Sequence, residues 1–476
     1  MHAEQPNTAW KDDIVERLAA YAIADFEPDT AALTGAKRIL IDTLAVGLGA
    51  FDHPAARNAR RYLEFFDPPA AGSAIWGTHL RASPDKATLV NGVLLRCYDY
   101  NDVMIGKKGA GHPSDMVAAV LAFADWRGMS GKDLLAALVV GYEIAEALHD
   151  IVPAEAAGWD HANVSALGAT CAIGRLMKLT FNQMCEALGI AAIQHVQSNE
   201  IESSALNQHG DLTMWKRYHG ADAMRHALDA CLLAAAGAEG PVRPFRGKLG
   251  FLHIFGVTED PAPYLTERLR PGHVTGAAHR TNFKRWPVGS RAQSAIASAL
   301  DARAKAGKTA IAAVHVRAEP GVYEHLVAIR QDPWRPVSRE TADHSLPYIV
   351  GAAALDGFID VGSFDLAKVN DPKRAQFIAD HVTIEAVDAI PGIKTARGWH
   401  LSEVEITTQD GQSFKGSVRP GPGHQDNPFT DKDLQEKWQD NAAPLIGAQK
   451  ATALFELMQK SESIKVRELA DALMKS

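Results

Sequence analysis

The chain has 476 residues, 46% of them hydrophobic and 22% charged, with a net charge of −8 at pH 7. That length accommodates two or more domains, and the composition is that of a globular protein rather than a disordered one. The acidic balance argues against nucleic acid as a partner, which needs a net basic face, but leaves room for an anionic small molecule held by a few local cations.

The four cysteines, Cys97, Cys171, Cys185 and Cys231, form no CxxC pair and fit neither a zinc ribbon nor an iron–sulfur cluster. They read as small core residues in a reducing compartment. The first residues show neither an apolar signal core nor an Arg-rich transit pattern. No apolar run approaches the roughly 20 residues needed to span a bilayer. A cytoplasmic protein is expected, with no membrane partner.

In chain order, residues 8 to about 265 read as helices. "DTAALTGAKRILIDTLAVGLGA" spaces Leu33, Ile39, Leu40, Leu44 and Leu48 at helical intervals. "KATLVNGVLLRCYDY" predicts a helix ending near Asp99, and "SDMVAAVLAFADW" another capped by Ser114. "MSGKDLLAALVVGYEIAEALHD" opens with Ser130-x-x-Asp133 and "LTFNQMCEALGIAAIQHV" with Thr180-x-x-Gln183, both capping signals. Both look apolar nearly all round, so both are expected to be buried. Small residues, as in "LGATCAIG", allow close helix packing.

Composition shifts near residue 265. "TAIAAVHVRAE" and "DHVTIEAVD" read as strands, and "LSEVEITTQDGQSFKGSVRP" as a hairpin about Asp410-Gly411. "SAIASALDARAKAG" and "ADHSLPYIVGAAALDG" read as helices among them. After the turn-rich "RPGPGHQDNP" the pattern returns to helix. The expected division is a helical domain over 1–270, an α+β domain over 271–430, and C-terminal helices over 431–476 that pack back on the first.

Between two apolar helices lies "YDYNDVMIGKKGAGHPSDM", residues 98–116. It permits three readings: a solvated loop, a metal site from Asp99, Asp102, His112 and Asp115, or a proton-transfer pair of Asp99 and His112. The spacing matches no metal motif. His112 just ahead of a helix start would also place it where a carboxylate is favoured. Lys216, Arg217 and His219 gather before another helix, and Arg280, Lys284, Arg285 and Arg291 cluster near "FKRWPVGSR". Such cations suit a polycarboxylate, or simply solubilise the surface. His344 and Tyr348, four residues apart, would share a helix face. Walker, GxSxG and HExxH motifs are lacking, and "GLGA" lacks the strand context of a dinucleotide site.

These segments together resemble the MmgE/PrpD family, the 2-methylcitrate dehydratases and relatives such as cis-aconitate decarboxylase. The resemblance rests on "NGVLLRCYDYND" with "GHPSDMVAAVLAFADW", on "GWDHANVSALGATCAIGRLMKLT", "MWKRYHGADAMRHALDACLLAAAG", "FKRWPVGSRAQSAI" and "RETADHSLPYIVGAAALDG", in that order. It implies a mainly α fold, a large all-helical domain with a smaller α+β lid, a homodimer, and an active site between domain and lid. By matching motifs it makes Asp99, His112, His161 and Tyr348 catalytic, and Lys216 and Lys284 substrate-binding, with Arg285 and the helix start at Ser114 assisting. Val103 stands where the family often has Thr, which would remove a hydroxyl donor near the substrate.

The implied reaction is dehydration of a hydroxy-tricarboxylate without cofactor or metal, 2-methylcitrate to 2-methyl-cis-aconitate. Lys216 and Lys284 would stabilise the charge that builds on a carboxylate as the neighbouring carbon loses its proton. The base would be Asp99 or His112, and the acid the other of the two or Tyr348. Decarboxylation of cis-aconitate, or another lyase or isomerase reaction on di- or tricarboxylates, is the alternative within the family. A non-catalytic carboxylate-binding protein is the alternative outside it.

Overall fold

A computed structural model describes residues 10–194, 196–202, 212–390 and 400–475. The first nine residues, part of the stretch read for a targeting signal, lie outside the described residues. Among the described residues, nine longer helices build the first domain: α1 (Asp13–Ile23), α2 (Thr30–Gly49), α3 (Pro54–Tyr62), α4 (Pro84–Arg96), α5 (Asp115–Trp126), α6 (Gly131–His149), α7 (Ala162–Leu176), α8 (Phe181–Gln194) and α9 (His219–Ala235). Shorter helical turns fill in between them.

The starts follow local chemistry. Asp12 and Asp29 accept from the first free N–H groups of α1 and α2. Ser130 Oγ accepts from Asp133 N at 3.1 Å. Thr180 and Gln183 cap each other across the start of α8, side chain to backbone in both directions.

Helix α6 is buried on nearly every side, as its sequence predicts. Helix α8 is not: it buries Met184, Cys185, Ala187, Leu188, Gly189 and Ala192, while Asn182 and Ile193 are exposed. It lies at the edge of the bundle, so only one of its apolar faces finds a neighbour. Small residues let α6 and α7 touch. A Cβ on Gly168 would stand 2.7 Å from the Gly141 carbonyl oxygen, so glycine is required there. All four cysteines are buried and unpaired.

The second region carries a four-stranded sheet. Its order is Val382–Ala386, Ile311–Ala318, Ser402–Thr408, Ser413–Lys415; the first pair is parallel and the others antiparallel. Gly411 turns the final hairpin with a φ of 85°. The helices Gln293–Ala306 and Leu346–Asp356 cover the sheet, and Ile296, Ile349, Val316, Val404 and Ile406 share a core with Trp286.

That core is distinct from the one formed by the first nine helices. The latter takes in Phe283, then resumes at Phe429, Leu434, Trp438 and Leu473. Phe283 and Phe429 stack at 5.9 Å between ring centroids, where the chain leaves the first core and where it returns. The terminal helix Asp431–Ile446 is pinned to α2 by Lys437 Nζ, 2.7 Å from Asp42 Oδ1, with both side chains fully buried. The fold is mainly α. No helix among the described residues is long and apolar enough to cross a membrane.

Candidate active site

Helix α4 stops at Arg96, three residues before Asp99 and earlier than its sequence suggests. Asp99 takes a left-handed backbone conformation, φ 45°, which non-glycine residues rarely adopt. Neighbours hold it there. Lys284 Nζ donates to the Asp99 carbonyl at 2.7 Å and to its Oδ1 at 2.5 Å. The next residue is fastened on two sides: Tyr100 Oη donates to the Arg285 carbonyl at 2.7 Å, and its own carbonyl accepts from Lys437 at 3.0 Å. The turn therefore points the Asp99 carboxylate into a cavity between the two cores.

His112 ends a short antiparallel ladder, Met104–Ile105 with Ala110–Gly111, which returns the loop to the cavity while Lys107 and Lys108 stay in solvent. Its Nδ1 is hydrogen-bonded to the Asp102 carbonyl. A carbonyl only accepts, so Nδ1 carries the hydrogen and Nε2 presents a lone pair, 3.8 Å from Asp99 Oδ1.

The other acids of the loop are used structurally. Asp102 accepts from Tyr142 Oη at 2.8 Å, Thr281 Oγ1 at 2.7 Å and Ser114 N at 3.2 Å. Asp115 lies 3.8 Å from Arg96 Nε and accepts from Asn101. Asp102 thus occupies the N-terminus of α5, and Ser114 is fully buried and accepts from the Asn101 side chain at 3.0 Å. The expected contact of Ser114 with substrate is not what the fold provides, because an internal carboxylate already sits there.

The cavity measures about 240 Å³. On the helical side Arg96, Asp99, His112, Asp160, His161 and Lys216 line it; across from them stand Lys284, Arg291, His325, Leu326, Ile329 and His344. Lys216 comes from the single turn Met214–Arg217 ahead of α9, anchored by Arg217 on Asp343 at 2.9 Å. Thus Asp99, His112, His161, Lys216 and Lys284, expected from sequence, converge.

Arg285 and Tyr348 do not join them. The Arg285 guanidinium faces Glu436 at 3.7 Å. Tyr348 Oη donates to the Ser363 carbonyl at 2.8 Å, and the side chain belongs to the sheet's core. His344 and Tyr348 share no helix face, because Ser345 caps the helix by accepting from Tyr348 N and leaves His344 outside it. Val103 also lies elsewhere: its backbone pairs with Asn282, and it lines a separate small pocket with His400 and Leu401.

The sequence allowed that His344 or Tyr348 could point into a site, but gave His344 no chemical role. Its Nε2 lies 3.0 Å from Asp99 Oδ2 and its Nδ1 2.5 Å from Asp343 Oδ1. Carboxylate oxygens therefore flank the His344 ring at both nitrogens. Arg96 and Asp160 were missed too. Asp160 precedes His161 and Arg96 lies three residues before Asp99, so the types were visible but the directions were not.

The electrostatics favour a polyanion. Arg96, Lys216, Lys284 and Arg291 line the cavity against three carboxylates, Asp99, Glu155 and Asp160. Burial pushes Asp99 up, but Lys284, His344 and His112 outweigh it and hold the carboxyl well below the usual range. Burial, with Arg96, Lys284 and His161 nearby, holds His112 well below the ordinary imidazole range. Burial brings His161 down to about 3 and Lys216 down to about 7, the latter despite the attraction of Asp99. The site therefore combines the positive charge of Arg96, Lys284 and Arg291 with two imidazoles, His112 and His161, held neutral at pH 7, which can bind a polycarboxylate and accept a proton from it.

Among the described residues, one group has donors spaced for a metal ion: Asp160, His161 and His219, all within 4.8 Å of one another. The sequence's candidate set of Asp99, Asp102, His112 and Asp115 forms no such group. Asp160 is otherwise engaged, its Oδ1 accepting from Ala162 N at 2.7 Å and lying 3.2 Å from His219 Nε2.

Comparison with known proteins agrees across the chain. The profile of the MmgE/PrpD N-terminal domain matches residues 12–263, and that of the MmgE/PrpD C-terminal domain matches residues 286–462. Cis-aconitate decarboxylase from Homo sapiens is 25% identical over 92% of this chain and 89% of its own length. The 2-methylcitrate dehydratases from Cupriavidus necator and Salmonella typhimurium are 26% and 24% identical, over 76% and 78% of this chain and 74% and 76% of their own lengths. The chain belongs to the MmgE/PrpD family.

Proposed function

Taking membership of the MmgE/PrpD family as the premise, we propose that this protein is a cofactor-independent hydro-lyase that dehydrates a hydroxy-tricarboxylate, 2-methylcitrate to 2-methyl-cis-aconitate. The observation that carries the reading is the meeting of Asp99, His112, Lys216 and Lys284 in one cationic cavity.

In this mechanism Lys216, Lys284 and Arg291 hold the substrate carboxylates. His112 Nε2 takes the proton from the carbon next to a carboxylate. Its partner nitrogen already donates to Asp102, which fixes both tautomer and aim. Negative charge then grows on that carboxylate, where the lysines stabilise it without having to move. Lys216, with its proton loosely held near neutrality, gives a proton to the departing hydroxide. The atoms balance: one C–H and one C–O bond break, a C=C bond forms, and water leaves. Asp99 is a poor base, because Lys284 and His344 already occupy its two carboxylate oxygens. Its role is to orient Lys284 and His344. Tyr348 has no part as acid, being committed to Ser363.

Residues 271–430 act as a lid in this reading, delivering Lys284, Arg291 and His344 when they close on the helical wall. An unchanged scattering profile with and without a tricarboxylate would remove the closing step.

Decarboxylation of cis-aconitate is the second reading, favoured by the longer match to the human decarboxylase. Incubation with 2-methylcitrate, citrate and cis-aconitate, followed by mass spectrometry, separates the two. The first reading expects an unsaturated acid lighter by one water; the second expects carbon dioxide. Binding of all three acids with turnover of none would leave a non-catalytic carboxylate-binding protein.

A further inference from the structure

Gly106, Gly109 and Gly111 crowd into the short stretch that leads straight to His112. All three pack against one residue, His149, which ends α6. A Cβ on Gly111 would stand 2.6 Å from His149 Nε2, and one on Gly106 would overlap the His149 backbone. Side chains are excluded there by the closeness of the approach. The loop's backbone is fastened to the same place. The His149 carbonyl accepts from Lys108 N at 3.1 Å and from Gly109 N at 2.9 Å, and Asp150 Oδ1 accepts from Lys107 N at 2.7 Å. The carbonyl end of α6 thus holds the tip of the loop, and the His149 ring lies against Gly111, one residue before His112.

That ring is an anomaly. It is fully buried, and among the described residues neither of its nitrogens has a hydrogen-bond partner. Burial brings it down to about 4, so it is neutral at pH 7. A neutral imidazole still carries one N–H, and an unmet buried donor is a cost. The ring does not line the cavity either. Charge, hydrogen bonding and substrate contact therefore leave it unexplained, whereas its contact with the loop does not. It offers Gly111 a flat, rigid surface.

His112 is aimed by few contacts. Its Nδ1 is bonded to the Asp102 carbonyl, and its ring meets His161 edge-on at 4.9 Å between centroids. The remaining constraint is the backbone from which the ring projects, and that backbone rests on His149.

We propose that His149 is a positioning residue for His112. The loop is seated on the His149 ring, and through that seat His149 sets where His112 Nε2 stands in the cavity. The inference rests on the reading of His112 as the base and adds the residue that aims it. Misplacing a catalytic group by about 1 Å costs on the order of 10²-fold in rate.

The test uses the full-length protein with 2-methylcitrate. It reads kcat and KM for Gly111→Ala, His149→Ala and the two together, each checked by its thermal transition. Gly111→Ala is expected to lower kcat about 10²-fold, with KM little changed because Lys216, Lys284 and Arg291 keep their places. His149→Ala alone is expected to lower kcat about tenfold, since the loop loses its seat. It also makes room for the added methyl group, so the double variant should regain about tenfold over Gly111→Ala, where independent effects would instead accumulate. In a His112→Ala background neither change should cost anything further, whereas a general loss of structure would persist there.

A double variant no more active than Gly111→Ala, or the same losses in the His112→Ala background, would overturn the proposal. Should Gly111→Ala fail to fold, His149→Ala decides the matter, and an unchanged kcat in that variant overturns it. Nitrogen NMR of the histidines separates this inference from the dehydratase reading. If no acid is turned over, that reading falls. The seat then stands if His149→Ala alters the His112 Nδ1–H signal, and falls if the signal is unchanged.

Discussion

Two aspartate–lysine pairs lie buried among the described residues, and they do different work. Asp99 and Lys284 meet at 2.5 Å on the cavity wall; Asp42 and Lys437 meet at 2.7 Å between α2 and the helix Asp431–Ile446. Each lysine also donates to a backbone carbonyl of the same turn, Lys284 to Asp99 and Lys437 to Tyr100. Burial raises the Asp42 carboxyl to about 6, with Lys437 as its principal counter-charge. Asp99 is just as enclosed yet sits well below the usual range, because Lys284 and His344 both face it. The residue types are the same. The difference lies in how many partners converge, and in whether a cavity opens beside them.

The largest effect that tests this comparison falls at the cavity. His112→Ala is expected to lower kcat by about 10²- to 10⁴-fold, and Lys284→Met by about 10²- to 10³-fold. Steady-state kinetics check both, and a loss under fivefold for either would remove it from the mechanism.

The sealed pair should behave in the opposite way. Lys437→Met leaves Asp42 buried without its partner and is expected to cost about 3–5 kcal/mol in urea unfolding. Adding Asp42→Leu should recover most of that. If Lys437→Met instead lowered kcat a hundredfold with stability unchanged, the two pairs would not differ as described.

A third prediction concerns pH. Lys216 loses its proton through about pH 7, so kcat/KM should fall as pH rises past that point. Stability moves the other way. Between about 7 and the ordinary lysine range of about 10.4 the unfolded chain binds more protons than the fold, so the Lys216 contribution to stability rises with pH. Comparing wild type with Lys216→Met by denaturation across that interval isolates it. The smallest effect is expected at Tyr348→Phe: loss of one hydrogen bond to Ser363, about 1 kcal/mol, with kcat within twofold of wild type.

Much of this was legible in the sequence. Periodicity and caps placed the helices, alternation placed the strand Ile311–Ala318, and Asp410-Gly411 marked the hairpin of Ser402–Thr408 with Ser413–Lys415. The order of motifs pointed to the family and to Asp99, His112, His161, Lys216 and Lys284. Ser114, Arg285 and Tyr348 were equally visible as residue types, yet each is turned away from the cavity. Asp102 fills the helix end that Ser114 would have offered, Glu436 faces Arg285, and Ser363 takes Tyr348. His344, read as sharing a helix face with Tyr348, points into the cavity alone, because the cap at Ser345 leaves it outside the helix.

Local pattern, then, settled which segments became helix or strand and which loops carried acids, bases and cations, since those depend on neighbours within a few positions of the chain. Direction, protonation and partnership were decided only when residues as far apart as Asp99, Lys284 and His344 closed on one another. Each of those properties depends on what a side chain faces across a low-dielectric interior, and that is a matter of distance in space.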